Sequence, residues 1–142
     1  MKSFLLASFV ALTTLACGST PPAAFQVKSV DNGSVVDRFL NLQESLYALI
    51  AESPTADDAI AKITAYCEQN AAAVERMIAD RDALADDPDG AAQRAEFERR
   101  GAALSERAEK ELSHKNDMLA DGRVLDSMSA CLGPETDDGA PE

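Results

Sequence analysis

The chain contains no tryptophan, and only five phenylalanines and two tyrosines stand among its 142 residues. It has a single histidine, His114, which excludes a metal site built from several histidines. It also lacks a glycine-rich phosphate loop, a cysteine pair at zinc spacing and a serine–histidine arrangement suited to a catalytic triad. The sequence therefore predicts that the protein is not an enzyme and holds no cofactor.

Basic residues are also scarce, because 13 Lys and Arg stand against 25 Asp and Glu and give a formal net charge of −12. Nucleic-acid phosphates and anionic lipid headgroups repel so acidic a chain, which excludes a nucleic-acid partner. No basic amphipathic segment suited to lying on a membrane is found either. Any attachment to a membrane must therefore come from another source.

The first seventeen residues have the layout of an export signal. Lys2 gives a basic start, a mainly apolar run extends from Phe4 to Leu15, and small Ala16 precedes Cys17. The apolar run is too short to span a bilayer as a stable helix. Residues 1–16 are therefore predicted to be a cleaved signal peptide of an exported protein.

The end of this segment, Thr14-Leu15-Ala16-Cys17, resembles the lipobox of bacterial lipoproteins. In that family the signal is cut just before the cysteine, whose thiol and new amino group are then acylated. The resemblance implies that acyl chains on Cys17 attach the protein to a membrane. Gly18 in the next position implies an outer-membrane lipoprotein that faces the periplasm or the cell surface. The alternative is simple cleavage after Ala16 or Gly18, which would release a secreted protein without an anchor.

The remaining chain divides into three parts. Residues 17–33 are predicted to be a flexible, lipid-anchored tether outside the core, because they include Pro21-Pro22 and small residues without periodicity. Residues 34–133 are predicted to form one helical domain, and residues 134–142 an acidic disordered tail. Removal of the signal takes away only the charge of Lys2, so the net charge of −12 becomes −13.

Apolar residues recur at spacings of three and four along the body, which predicts an all-α fold. The expected architecture is an antiparallel up-and-down bundle of three to four helices. Ser34 and Asp37 have the spacing of a capping box, and Gly133-Pro134 predicts the end of the last helix. The predicted helices cover about 35–52, 55–86, 91–120 and a short segment after a turn at Asp121-Gly122.

The stretch from Ser45 to Met77, together with the order of the helices, resembles cytochrome b562-like four-helix bundles. That family binds haem through a methionine in its first helix and a histidine near the end of its last helix. This chain has neither residue at those places. The resemblance therefore implies an architecture and no haem ligands.

If Cys17 carries the lipid, Cys67 and Cys131 remain as a pair, and an oxidising compartment favours a disulfide between them. An uninterrupted third helix would separate these two cysteines by roughly 30 Å, which is too far to bond. A reversal at Gly122 would bring both to the level of about residue 111 or 112. The bond and the turn are therefore predicted together, and two buried free thiols are the alternative.

His114, Met118 and Met128 are weak candidates for a metal or haem site, since imidazole and thioether ligands suit Cu(I) and haem iron. Core packing is the simpler role for the two methionines. Two functions from different classes follow from the sequence. The first is a protein-binding or structural helical module of the cell envelope with an unidentified partner. The second is a carrier of a small ligand, haem or metal.

Overall fold

The structure, a computed structural model, describes residues 25–133 except for the side chain of Asp89. This part contains helices, turns and no strand, so the predicted all-α class is confirmed. The described chain forms α1 (Val35–Glu52), α2 (Ala56–Gln69), α3 (Ala71–Ala85), α4 (Ala91–Glu111), α5 (Asn116–Leu119) and α6 (Gly122–Leu132). Three-residue 3₁₀ turns at Pro88–Gly90 and Ser113–Lys115 precede α4 and α5.

Helix α1 begins and ends where the sequence predicts. The Ser34 hydroxyl accepts a hydrogen bond from the Asp37 N–H at 3.2 Å, and the Asp37 carboxylate accepts from the Ser34 N–H at 3.0 Å. These two bonds form the predicted capping box, which satisfies two N–H groups at the helix start. Gly33 precedes the cap at φ 94°, a left-handed conformation that favours glycine.

The helix predicted over residues 55–86 is interrupted at Asn70 and forms α2 and α3 instead. The Asn70 side-chain amide donates to the Tyr66 carbonyl at 2.8 Å, and the Asn70 N–H donates to the same carbonyl at 3.1 Å. The Asn70 carbonyl then accepts from the N–H groups of Ala73 and Val74, both at 2.9 Å. An asparagine side chain that bonds its neighbouring backbone favours a helix end over a helix interior.

The helix predicted over residues 91–120 is also shorter than expected, since α4 ends before Leu112. The Leu112 carbonyl accepts from the Lys115 N–H at 2.7 Å and closes a 3₁₀ turn. The Lys115 ammonium donates to the carbonyl of Ser53, just after α1. The two interruptions explain why the described chain has more helices than the three to four that were predicted.

Two ion pairs between residues four apart lie along α4. Glu96 pairs with Arg100 at 2.9 Å, and Arg107 pairs with Glu111 at 2.8 Å. Each such pair stabilises a helix by only about 0.2–0.5 kcal/mol.

Within residues 25–33, Phe25 and Val30 belong to the buried core, although residues 17–33 were predicted to lie outside it. The other residues of 25–33 are exposed, and residues 17–24 lie outside the described residues. We call residues 25–33 the N-terminal strap. The strap buries Phe25 and Val30, which are 6% and 1% exposed. The Lys28 N–H donates to the Ser45 hydroxyl at 2.8 Å, and the Lys28 carbonyl accepts from the Tyr66 hydroxyl at 3.0 Å.

Aromatic and charged contacts also hold the beginning of the strap. The Phe25 ring lies 5.6 Å from the Tyr47 ring, and the Arg107 guanidinium of α4 lies 4.3 Å above the Phe25 centroid. The Glu44 carboxylate, whose side chain is only 13% exposed, pairs with Lys28 at 2.6 Å and with Arg107 at 3.5 Å. The strap therefore joins α1 to α4 through the buried Phe25 ring and through Glu44, while Lys28 and Arg107 remain partly exposed.

Helices α1 and α4 lie side by side and run in the same direction. Asp37 of α1 pairs with Arg100 of α4 at 2.8 Å, and Glu44 pairs with Arg107 at 3.5 Å. Both members of the second pair come seven residues after those of the first, so the two helices advance together. The buried side chains of α1 face the core that these helices share with α2, α3 and α6. No helix within residues 25–133 is long and apolar enough to cross a membrane.

The burial of the strap predicts the effect of shortening Phe25. Phe25→Ala removes a buried ring and its contacts with Tyr47 and Arg107, so we expect the free energy of unfolding to fall by about 3 kcal/mol. Val27→Ala is the matched control, because Val27 is 50% exposed on the same strap. The control should change stability by less than about 0.5 kcal/mol. Urea unfolding followed by circular dichroism measures both, and equal small changes would contradict a buried strap.

Candidate functional site

Cys67 and Cys131, the predicted disulfide residues, are joined in the structure across a sequence separation of 64, with their Cα atoms 5.7 Å apart. Cys67 lies in the last turn of α2 and Cys131 in the last turn of α6. At the other ends of these helices, Asp57 pairs with Arg123 at 2.9 Å. Helices α2 and α6 are therefore packed directly against each other and run in the same direction.

The connection that leads to Cys131 is longer than the predicted turn at Asp121-Gly122. It starts at Leu112 and contains a 3₁₀ turn and α5 before α6 begins at Gly122. Asp121 does mark the start of the last helix, since its carboxylate accepts from the Arg123 N–H at 3.0 Å. Gly133, at φ 80°, ends α6 against the side chain of Ile78, at the predicted stop.

The three metal candidates from the sequence, His114, Met118 and Met128, lie in different environments. Met118 and Met128 are each 8% exposed and belong to the same buried core cluster. His114 is exposed in the 3₁₀ turn before α5 and lies outside that cluster. Within residues 25–133, no group of three or more His, Cys, Asp and Glu side chains is placed to hold a metal ion. Cys17, the predicted lipidation site, lies outside the described residues.

A groove lies between the start of α1, the end of α3 and the start of α4. Its cavity volume is about 240 Å³. The rings of Phe39 and Phe97 meet edge to face in it, with centroids 4.8 Å apart. We call this feature the apolar groove, and it is lined by Val35, Val36, Phe39, Arg81, Asp82, Leu84, Ala85, Gln93, Arg94 and Phe97.

Two arginines and one aspartate border the apolar groove. Arg81 pairs with Asp82 at 2.9 Å, next to it on α3. Arg94 donates to the carbonyls of Leu84 and Asp87 at 2.7 and 3.1 Å and so satisfies the end of α3. The lining thus carries one more positive than negative side chain, on a protein whose net charge is −12.

A charged pair fixes α1 against α4 beside the apolar groove. Asp37 accepts hydrogen bonds from the Ser34 hydroxyl at 2.8 Å and pairs with Arg100 at 2.8 Å. The hydrogen bonds from Ser34 and then from Arg100 hold the pKa of Asp37 below its ordinary value. The same carboxylate therefore caps α1 and sets the distance to α4 next to Phe39 and Phe97.

The apolar groove is lined mostly by apolar side chains. Its lining has no cysteine, serine or histidine, and its volume of about 240 Å³ is smaller than the ~300–1,000 Å³ of typical small-molecule pockets. The sequence did not predict that Phe39 and Phe97 remain half-buried, because this depends on how α1, α3 and α4 meet.

No protein-family model matches the chain, and no curated protein or solved structure matches it. The functional conclusion therefore depends on the residues and contacts described above.

Removal of the disulfide should destabilise the fold strongly. A cross-link across 64 residues restricts the unfolded chain, so the double variant Cys67→Ala, Cys131→Ala should lose about 2–5 kcal/mol of unfolding free energy. Urea unfolding with and without reductant is the measurement. Reductant should lower the stability of the unaltered protein and leave the double variant unchanged. A reductant effect of the same size in both proteins would contradict the Cys67–Cys131 bond.

The lowered pKa of Asp37 predicts a pH-dependent effect of Asp37→Asn. Because the folded state favours the ionised carboxylate, its stabilising contribution is present above the unfolded pKa and is lost as the pH falls through the lower folded pKa. The variant should therefore melt at a lower temperature than the unaltered protein at pH 7, and the difference should shrink as the pH falls below about 3.9, the ordinary pKa of an Asp carboxyl group. Thermal melts at pH 7 and over this acidic range test this, with exposed Asp126→Asn as the control. A difference that persists in acid would contradict the role of the charge.

Proposed function

We propose that the protein is a lipid-anchored component of a bacterial cell envelope and that its helical body binds another protein through the apolar groove. The resemblance of residues 14–17 to a lipobox supports acylation of Cys17, and Gly18 supports the outer membrane, with the body facing the periplasm or the cell surface. The single observation that favours protein binding is the half-open apolar groove with Phe39 and Phe97 in it.

The shape of the apolar groove favours a protein over a carried small ligand. A small-molecule site typically encloses about 70–90% of its ligand, which a shallow groove of about 240 Å³ does not. Large apolar side chains of a partner protein, in contrast, act as anchors when they enter such grooves. The excess positive charge of Arg81 and Arg94 suits a partner segment with a bulky apolar side chain next to a carboxylate.

We also propose that the helices form an up-and-down bundle in which α2 and α3 together act as one interrupted rod. Two observations support this arrangement. Tyr66 lies beside Ser45 and Lys62 beside Glu52, so α2 runs opposite to α1. The pairs α1 with α4 and α2 with α6 run in the same direction, as alternate rods of such a bundle do. The apolar groove then lies at one end of the bundle.

A pair of matched substitutions tests binding through the apolar groove. Ala85 and Ala83 are both exposed on α3, but only Ala85 lines the groove. A photoreactive amino acid at exposed Gln93 should form a discrete cross-linked product in the cells that make the protein. Ala85→Arg should reduce that product about tenfold, as expected when a contact of about 1.4 kcal/mol is blocked. Ala83→Arg adds the same charge outside the groove and should leave the product unchanged.

The cross-link and the mass of the mature N-terminus each test a different part of the proposal. An unchanged cross-link in Ala85→Arg would show that the apolar groove is not the binding surface. The mass of the mature N-terminal peptide tests the anchor, since acylation should leave Cys17 as the first residue with its mass increased by the acyl chains. A mature chain that starts without acylated Cys17 would contradict the lipid anchor and leave the groove result standing.

A further inference from the structure

The two exposed large hydrophobic side chains of residues 25–133 lie close to the place where the chain enters the fold. Val27 is 50% exposed and Leu125 is 47% exposed. Val27 follows Phe25 by two residues on the N-terminal strap. Leu125 lines a shallow cavity of about 290 Å³ together with Tyr47, whose ring packs on Phe25. Tyr47, Leu119 and Leu125 of this cavity, together with Val27 of the strap, are called the entry face.

The length of chain before the strap limits where this face can point. Only seven residues, 18–24, separate Cys17 from Phe25, so the fully extended chain between these two residues spans at most about 28 Å. A folded body of this size has a radius of gyration of about 13 Å and is about 34 Å across. A chain that ran from the membrane around the body to an entry point on the far side would need roughly 53 Å. The strap therefore removes about half of the reach that a tether over residues 17–33 would have had.

We propose that the entry face lies against the lipid bilayer that holds the anchor, with Val27 and Leu125 in contact with the headgroup and acyl-chain boundary. This inference rests on the proposed acylation of Cys17. The short connection keeps Phe25 within about 28 Å of the anchored Cys17. At the high effective concentration that this gives, a few apolar side chains suffice to orient the body although they would not bind a bilayer alone. Glu109 also lines the cavity, which favours a zwitterionic over an anionic lipid surface.

The orientation has a consequence for the apolar groove. Phe39 precedes Tyr47 by eight residues on α1, and Val35 precedes it by twelve. At 1.5 Å per residue, these two groove residues therefore lie about 12–18 Å from Tyr47 along the axis of α1, towards the start of the helix. The bilayer at one end of the bundle thus leaves the groove at the other end open to a partner protein.

The absence of tryptophan makes a direct test possible, because one introduced tryptophan is a unique fluorophore in this chain. Three single variants, Leu125→Trp, Val27→Trp and Gln93→Trp, place it at two points of the entry face and at the exposed edge of the apolar groove. Each acylated protein is reconstituted into phosphatidylcholine vesicles with brominated acyl chains, which quench tryptophan at short range. Circular dichroism confirms that each variant folds.

Leu125→Trp and Val27→Trp should lose at least about half of their emission relative to vesicles without bromine, and Gln93→Trp should lose almost none. Equal quenching at the three positions, or no quenching at positions 125 and 27, would overturn the orientation. If the mass of the N-terminal peptide then still shows an acylated Cys17, the proposed anchor stands. An unmodified Cys17 would overturn the anchor and this inference together. Neither result bears on the cross-linking test of the apolar groove, so the two failures are distinguishable.

Discussion

The packing of the N-terminal strap on α1 is the contact on which the rest of the structure depends. Burial of Phe25 and Val30 removes apolar surface from water and closes the core along one side of α1. The strap also supplies Lys28 to the largely buried Glu44, whose other ion-pair partner among residues 25–133 is Arg107. Loss of the strap would therefore expose apolar surface and weaken the pairing that joins α1 to α4.

The last helix depends on a different constraint. Helix α6 has only 11 residues, fewer than the ~12–15 that an isolated helix needs to be even marginally stable in water. Its buried Val124 and Met128 and its bond from Cys131 to Cys67 hold it on α2. The strap and α6 thus attach the two ends of the described chain to the central helices, and the apolar groove lies between α1, α3 and α4 where neither end covers it.

Local patterns in the sequence predicted local structure well. The capping box at Ser34, the extent of α1 and the stop at Gly133 depend on near neighbours in sequence, and each was found as expected.

The break at Asn70 was missed because the apolar spacing continues through it, although a polar residue on an apolar stripe was a usable signal. The strap was missed because an extended segment has no helical periodicity, and Phe25 is buried by contacts with distant Tyr47 and Arg107. The half-exposed apolar groove likewise arises only when three helices meet.

Burial of Phe25 places the strap in the folded body, which shortens the connection to the lipid anchor that we propose at Cys17. Amide hydrogen exchange measures this claim most directly at Lys28, whose N–H donates to the Ser45 hydroxyl inside the fold. The Lys28 amide should exchange far more slowly than an amide in an unstructured peptide, within the range of the α1 amides. Exchange of the Lys28 amide at the unstructured rate, while the amides of α1 stay protected, would contradict a strap that belongs to the folded body.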